Sequence, residues 1–295
     1  MSINTVGIVG AGTMGNGIAQ ACAVSGINVV MVDISQQAVD RGLATVDKSL
    51  DRLLSKEKIT EADKAAALGR IKGSTSYDDL KAAQLVIEAA TENHELKNKI
   101  LKQLDDLLPP EVIIATNTSS ISITQLGAVT GRADRFVGMH FFNPVPMMAL
   151  VEIIRGLQTS DATHDAVKAL AERLGKSPIT VKNAPGFVVN RMLIPFLNEA
   201  CFALQEGLGT PEDIDMGAKL GLNHPMGPLE LADLIGLDTL LFIAEVLHRE
   251  FGDDKYRPAT LLRNLVAAGW YGRKVGRGFY VYDEKGQKVG RAFER

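Results

Sequence analysis

The chain has 295 residues, 46% hydrophobic and 23% charged, which is enough to bury a substantial core and to divide into two domains. A formal net charge of −3 supplies no broad basic field for nucleic acid or an anionic membrane surface, and no apolar stretch approaches the length of a bilayer span. The two cysteines, Cys22 and Cys201, fit neither a disulfide framework nor a zinc spacing; with an N-terminus that lacks a basic start, they point to the cytoplasm and to no metal site.

Short runs that are apolar throughout alternate with helix-period segments: TVGIVG, INVVMVDI, AQLVIEAA, EVIIATN and RFVGMHFF. Unbroken apolar runs belong to strands covered on both faces, so the pattern predicts an α/β domain, a mainly parallel, doubly wound sheet with helices on each side. The first strand runs into GAGTMG, where Gly10, Gly12 and Gly15 take the G-x-G-x-x-G spacing between strand and helix, with Thr13 and Met14 inside the loop. Glycines there allow a tight turn, close approach of backbone to a diphosphate, and close packing of helix on strand, which makes the domain Rossmann-like. The second strand ends at Asp33, where a carboxylate accepts hydrogen bonds from a ribose 2′-hydroxyl and repels a 2′-phosphate. NAD is therefore expected over NADP; the competing reading of Asp33 is a strand-end cap.

Between the second and third runs, about residues 36–71, helical spacing with mixed charges predicts a pair of helices projecting from the sheet. After EVIIATN, Ser122 and Gln125 have the spacing of a capping box, which leaves Ser119 in the loop ahead of the helix, either facing a ligand or serving as a turn hydroxyl. His140 falls at the C-terminal end of RFVGMHFF, the sheet edge where open α/β folds bind ligands. Imidazole titrates in the range a proton-transfer catalyst needs, and Glu152, twelve positions on, can orient the ring and stabilise its charged form. The alternative for Glu152 is a surface charge on an alternating strand.

The sheet is expected to extend through MALVEIIRG and SPITVKN to about residue 183, with a boundary at Ala184-Pro185-Gly186. That gives a nucleotide-binding domain over 1–184 and a smaller, all-helical domain over 185–295. Asn190 lies in a helix so apolar that an unpartnered amide would cost ~1–3 kcal/mol, so it should meet a ligand or neighbouring backbone. Gly207 and Gly209 stop that helix, and Thr210 with Pro211 starts the next.

Taken in order, GAGTMG, NTSS, HFFNPVP with VEII, PGFVVNR, HPMGPLELAD and GRKVGRGFYVY resemble the 3-hydroxyacyl-CoA dehydrogenases, in particular the stand-alone bacterial 3-hydroxybutyryl-CoA enzymes, from residue 3 to 282. The resemblance implies reversible, NAD-linked oxidation of an (S)-3-hydroxyacyl-CoA to the 3-ketoacyl-CoA. It implies His140 as catalytic base with Glu152 behind it, and Ser119 and Asn190 on the substrate's oxygens. It further implies cofactor contacts at Glu92, Lys97, Ser119, Asn143 and Lys274, coenzyme A contacts at Ser49 and Lys56, and a homodimer through the helical domain. On its own residues, Lys56 would read as part of a solvated helix face. A longer or dicarboxylic acyl chain, as in a 3-hydroxyadipyl-CoA dehydrogenase, and a non-catalytic NAD-binding protein of the same fold are the competing readings. Dehydrogenases of free β-hydroxyacids need a lysine at the start of the interdomain helix, which PGFVVNRM lacks.

Overall fold

The structure, a computed structural model, describes residues 2–292. Its contacts divide the chain into two units, Met1–Phe187 and Val188–Arg295. In the first, β1 (Thr5–Val9), β2 (Asn28–Val32), β3 (Ile71–Ser74), β4 (Leu85–Glu88), β5 (Ile113–Thr116), β6 (Phe136–Phe141), β7 (Leu150–Arg155) and β8 (Ser177–Lys182) form one sheet. The strand order is β3-β2-β1-β4-β5-β6-β7-β8, and every neighbouring pair is parallel except β6 with β7. Successive side chains of β4 enter opposite cores, Leu85 and Ile87 on one face and Val86 on the other. This is why the strand reads as a continuous apolar run. The order reverses between β1 and β4, so the C-terminal ends of the central strands open onto a crevice there.

Helices α1 (Thr13–Val24), α2 (Gln36–Leu54), α3 (Glu61–Gly69), α4 (His94–Leu107), α5 (Ile123–Gly127) and α6 (Asp161–Arg173) cover the sheet. The predicted helical pair is present: α2 buries Val39, Gly42, Val46 and Leu50 on one stripe, and Ser35 caps it by accepting from Ala38 N. A reciprocal box between Thr60 and Asp63 starts α3, whose Lys64 pairs with Asp47 and Asp51 of α2. The excursion closes on a strand that the pattern does not announce. Residues 71–74, IKGS, are too short and mixed to read as β, yet they pair in parallel with Val29–Val32, whose backbone groups would otherwise lack partners on that side.

The second unit packs α7 (Val189–Gln205), α8 (Pro211–Met216), α9 (Pro228–Ile235), α10 (Leu237–Phe251) and α11 (Thr260–Ala267) around Leu197, Leu229, Leu240, Leu247 and Phe279. Thr210 and Asp213 form a capping box with Pro211 in the first turn of α8, as the spacing predicts. To the helices the chain adds a hairpin, β9 (Tyr280–Tyr282) with β10 (Lys288–Arg291), which helical periodicity does not foretell. Among the described residues no helix is long and apolar enough to cross a membrane.

Two buried carboxylates tie the hairpin to the helices. Asp215 accepts from Leu229 N (2.8 Å), Glu230 N (3.1 Å) and Tyr280 Oη (2.7 Å), while Asp233 accepts from Phe279 N and Tyr280 N (both 2.9 Å) and Tyr282 Oη (3.0 Å). Burial pushes Asp233 up from the ordinary 3.8 to about 6, against the pull of its three donors. A fold that keeps a proton longer than the unfolded chain does is stabilised below the lower value. That contribution, about 3 kcal/mol, is lost as pH rises through the window between them. Urea unfolding of the wild type should therefore show a falling component between about pH 4 and pH 6 that Asp233→Asn lacks, since an amide does not titrate there. Parallel pH profiles for the two proteins would refute this.

Candidate active site

The glycine loop leaves β1 with Gly10 at φ +103°, a conformation that side chains rarely adopt. A Cβ on Gly15 would land on the Gly10 carbonyl oxygen, whereas one on Gly12 would meet no protein atom within 4 Å. Gly15 therefore serves the packing of helix on loop, and Gly12 leaves bare backbone facing open space. Among the described residues the first N–H groups of α1 receive no side-chain cap at Gly12, so the helix directs donors into that space, as a diphosphate requires.

Asp33, just beyond β2, fills the capping role among those that the sequence leaves open. Its Oδ2 accepts from Ala11 N and its Oδ1 from Ile34 N, both at 2.7 Å, so it is a strand-end cap that braces the loop. It also lines both grooves at this edge of the sheet, one running over the glycine loop and α2, the other between Ser76–Asp78 and α4.

His140 and Glu152 meet because β6 and β7 run antiparallel with these two residues directly opposite in the register. Direct partners put their side chains on one face within reach of each other. His140 Nδ1 lies 2.7 Å from Glu152 Oε2; Glu152 is 0% exposed and the histidine 7%. Glu152 is thus no surface charge. An ionised carboxylate only accepts, so Nδ1 carries the ring proton and Nε2 is left as the basic nitrogen. Phe142 and Phe187 flank the ring, their centroids 4.5 and 5.9 Å away.

The loop after β5 is seated by Glu92, which precedes α4. Its Oε1 accepts from Ser119 N (2.6 Å) and Ser119 Oγ (2.9 Å), and its Oε2 from Thr118 Oγ (2.8 Å). Ser122 does cap α5 by accepting from Gln125 N. Asn117, which sequence reading passed over, accepts from Phe141 N through Oδ1 at 2.8 Å. The backbone pairing of β5 with β6 stops at Thr116 and Gly138. The Asn117 side chain continues it for one more link, tying the Ser119 loop to the strand end that carries His140. An asparagine at a strand terminus was the only signal available.

The Lys97 ammonium, expected at the cofactor, is turned into the fold. It is 0% exposed, paired with Glu88 and 3.2 Å from Thr116 Oγ, beneath the ends of β4 and β5. Glu88 in turn accepts from Thr116 Oγ (2.7 Å) and Ala90 N (2.9 Å). The charge is consumed inside the fold, where a lone ammonium would be far too costly. Asn143 is exposed in the loop after β6, Ser49 is half-buried on α2 and Lys56 exposed just beyond it. Asn190, the second residue of α7, is buried, and Lys274 pairs with Asp238 at 2.6 Å; both belong to the second unit.

The chain matches the family model for the NAD-binding domain of 3-hydroxyacyl-CoA dehydrogenases over residues 5–184 and that for their C-terminal domain over residues 186–282. It is 54% identical to a probable 3-hydroxybutyryl-CoA dehydrogenase of Deinococcus radiodurans, over 94% of this chain and 99% of that one. To the 3-hydroxybutyryl-CoA dehydrogenase of Bradyrhizobium diazoefficiens it is 52% identical, over 95% and 96%. The crystal structure of (S)-3-hydroxybutyryl-CoA dehydrogenase from Ralstonia eutropha superposes with a TM-score of 0.95 at 72% identity, covering 96% of this chain and all of that one.

Proposed function

Because this chain belongs to the 3-hydroxyacyl-CoA dehydrogenase family, we propose that the buried His140–Glu152 pair is the acid–base machinery of its reaction. That reaction is the reversible, NAD-dependent oxidation of an (S)-3-hydroxyacyl-CoA, 3-hydroxybutyryl-CoA, to the 3-ketoacyl-CoA. When bound, NAD⁺ takes up the hydride that leaves C3.

His140 Nε2 accepts the proton of the 3-hydroxyl as the carbonyl forms, and the imidazolium returns it in the reductive direction. The Nδ1–H bond to Glu152 fixes the tautomer and stabilises the positive charge, which a buried ring would otherwise disfavour. Ser119, seated by Glu92, and Asn190 hold the substrate's oxygens. Gly10, Gly12, Thr13, Met14 and Gly15 cradle the diphosphate and Asp33 takes the ribose, with Glu92, Asn143 and Lys274 completing the cofactor site. Lys97 contributes by holding Glu88 and the ends of β4 and β5 in place. Ser49 and Lys56 bind the coenzyme A moiety.

We assign residues 1–184 to the nucleotide and 185–295 to substrate and to a homodimer. Exposed Met192, Leu208, Met216, Leu220 and Phe242 support the dimer, as apolar surface that a second copy would cover. A cytoplasmic location accords with two cysteines that are both free and buried.

The observation that carries this reading is the 2.7 Å contact between two buried titratable groups at the binding edge of the sheet. Acetoacetyl-CoA should be reduced with NADH at a kcat/KM of about 10⁴ M⁻¹ s⁻¹ or more. Free acetoacetate should be at least ~100-fold poorer, since the remote coenzyme A contacts supply binding energy. Equal turnover of acid and thioester would remove coenzyme A from the substrate.

A further inference from the structure

The groove over the glycine loop, about 500 Å³, carries one cation and one anion among its described lining residues, Arg41 and Asp33. Its far wall is α2, where Ala38, Arg41 and Thr45 are spaced to share one helical face. The helix runs so close to the loop that a Cβ on Gly42 would lie 2.8 Å from the Ala11 carbonyl oxygen, which fixes Arg41 beside the loop. Its guanidinium has no hydrogen bond or ion pair among the described residues. The carboxylates of α2 are engaged elsewhere: Asp40 accepts from Gln36, and Asp47 and Asp51 pair with Lys64.

Asp33 is held differently. Both of its oxygens accept from backbone N–H groups, of Ala11 and Ile34, so its charge cannot swing out of the groove. Resting on the reading that the adenosine ribose of NAD lies here, we propose that Arg41 is a preformed site for a 2′-phosphate, kept closed only by the Asp33 carboxylate. A phosphate monoester carries nearly two charges and suits a guanidinium fork, but beside a fixed carboxylate it is repelled. A ribose 2′-hydroxyl asks nothing of the cation and is accepted by the carboxylate. The groove therefore contains both determinants of the choice between NAD and NADP, and NADP is excluded by a misplaced anion, with the necessary cation already present. The adjoining groove also holds Lys99 and Lys102, but its lining sets three carboxylates, Asp33, Asp78 and Asp106, against those two cations.

Calorimetric titration of NADH and NADPH into the purified protein tests this without turnover. In Asp33→Asn, whose amide oxygen still accepts from Ala11 N, the ratio of NADPH to NADH affinity should rise by about 100-fold. Adding Arg41→Met should take back at least about tenfold of that gain, and adding Arg41→Lys, which keeps the charge without the fork, should take back less. Asp33→Ser provides a second neutral background should the amide disturb the loop, with NADH binding as the check that the groove is intact. An unmoved ratio in both neutral variants, or a gain that survives loss of Arg41, would falsify the proposal. A wild type that binds neither nucleotide would strike instead at the cofactor reading beneath it.

Discussion

His140→Gln is expected to lower kcat for acetoacetyl-CoA reduction by about 10²–10⁴-fold, with NADH affinity changed less than about threefold. Glutamine approximates the reach of the ring and its amide can still donate to Glu152, so the strand pairing of β6 with β7 and the burial of the carboxylate are preserved. What it lacks is a ring nitrogen that can accept a proton and return it. The loss should appear in kcat and in kcat/KM alike, the pattern of an interaction made in the transition state and not in substrate binding. Steady-state kinetics with parallel NADH titration separates the outcomes. Activity within a few-fold of wild type would place the acid–base group elsewhere, and would leave the His140–Glu152 pair as a buried structural contact.

Lys97→Met should cost about 3–5 kcal/mol of stability, a large share of the ~5–15 kcal/mol that holds a typical domain together. The variant strands Glu88 at 0% exposure with Thr116 and the Ala90 backbone as its remaining donors among the described residues. In the double variant Lys97→Met/Glu88→Gln both charges are gone, and most of the loss should be recovered, because replacing a whole buried pair is often close to neutral. Urea unfolding of the three proteins gives the comparison. The measurement also discriminates between two roles for this lysine. If its ammonium held the cofactor directly, the single variant would weaken NADH binding and leave the unfolding midpoint unchanged; if it secures the ends of β4 and β5, stability falls first and binding follows.

His140 and Lys97 differ in how much their surroundings in the chain reveal. For His140, the apolar run before it and the turn residues after it mark a strand end, and strand ends are where such folds bind ligands. Lys97 sits in HELKNKILKQL with two other lysines, Lys99 and Lys102, and nothing local distinguishes the one that turns inward. Resemblance to relatives names it as a cofactor contact, and only the packing shows that its ammonium touches Glu88 and Thr116.

Local pattern was sufficient for the glycine loop, for the five central strands and for the helical pair, because each depends on backbone conformation or burial period within a dozen residues. The edge strand at 71–74 and the hairpin at 280–291 escaped it. IKGS becomes β by pairing with an open strand edge, and the hairpin is fixed by Asp215 and Asp233, more than forty residues away in the chain. Asn117 and Glu88 stayed hidden for the same reason, since one polar side chain can satisfy many partners and packing alone selects which. The sequence could nominate His140 and Glu152 as a pair; the antiparallel register of β6 on β7 turned twelve residues of separation into a 2.7 Å contact. Register is a long-range property, set by which strands lie side by side and how they are offset, and the tertiary structure alone decides it.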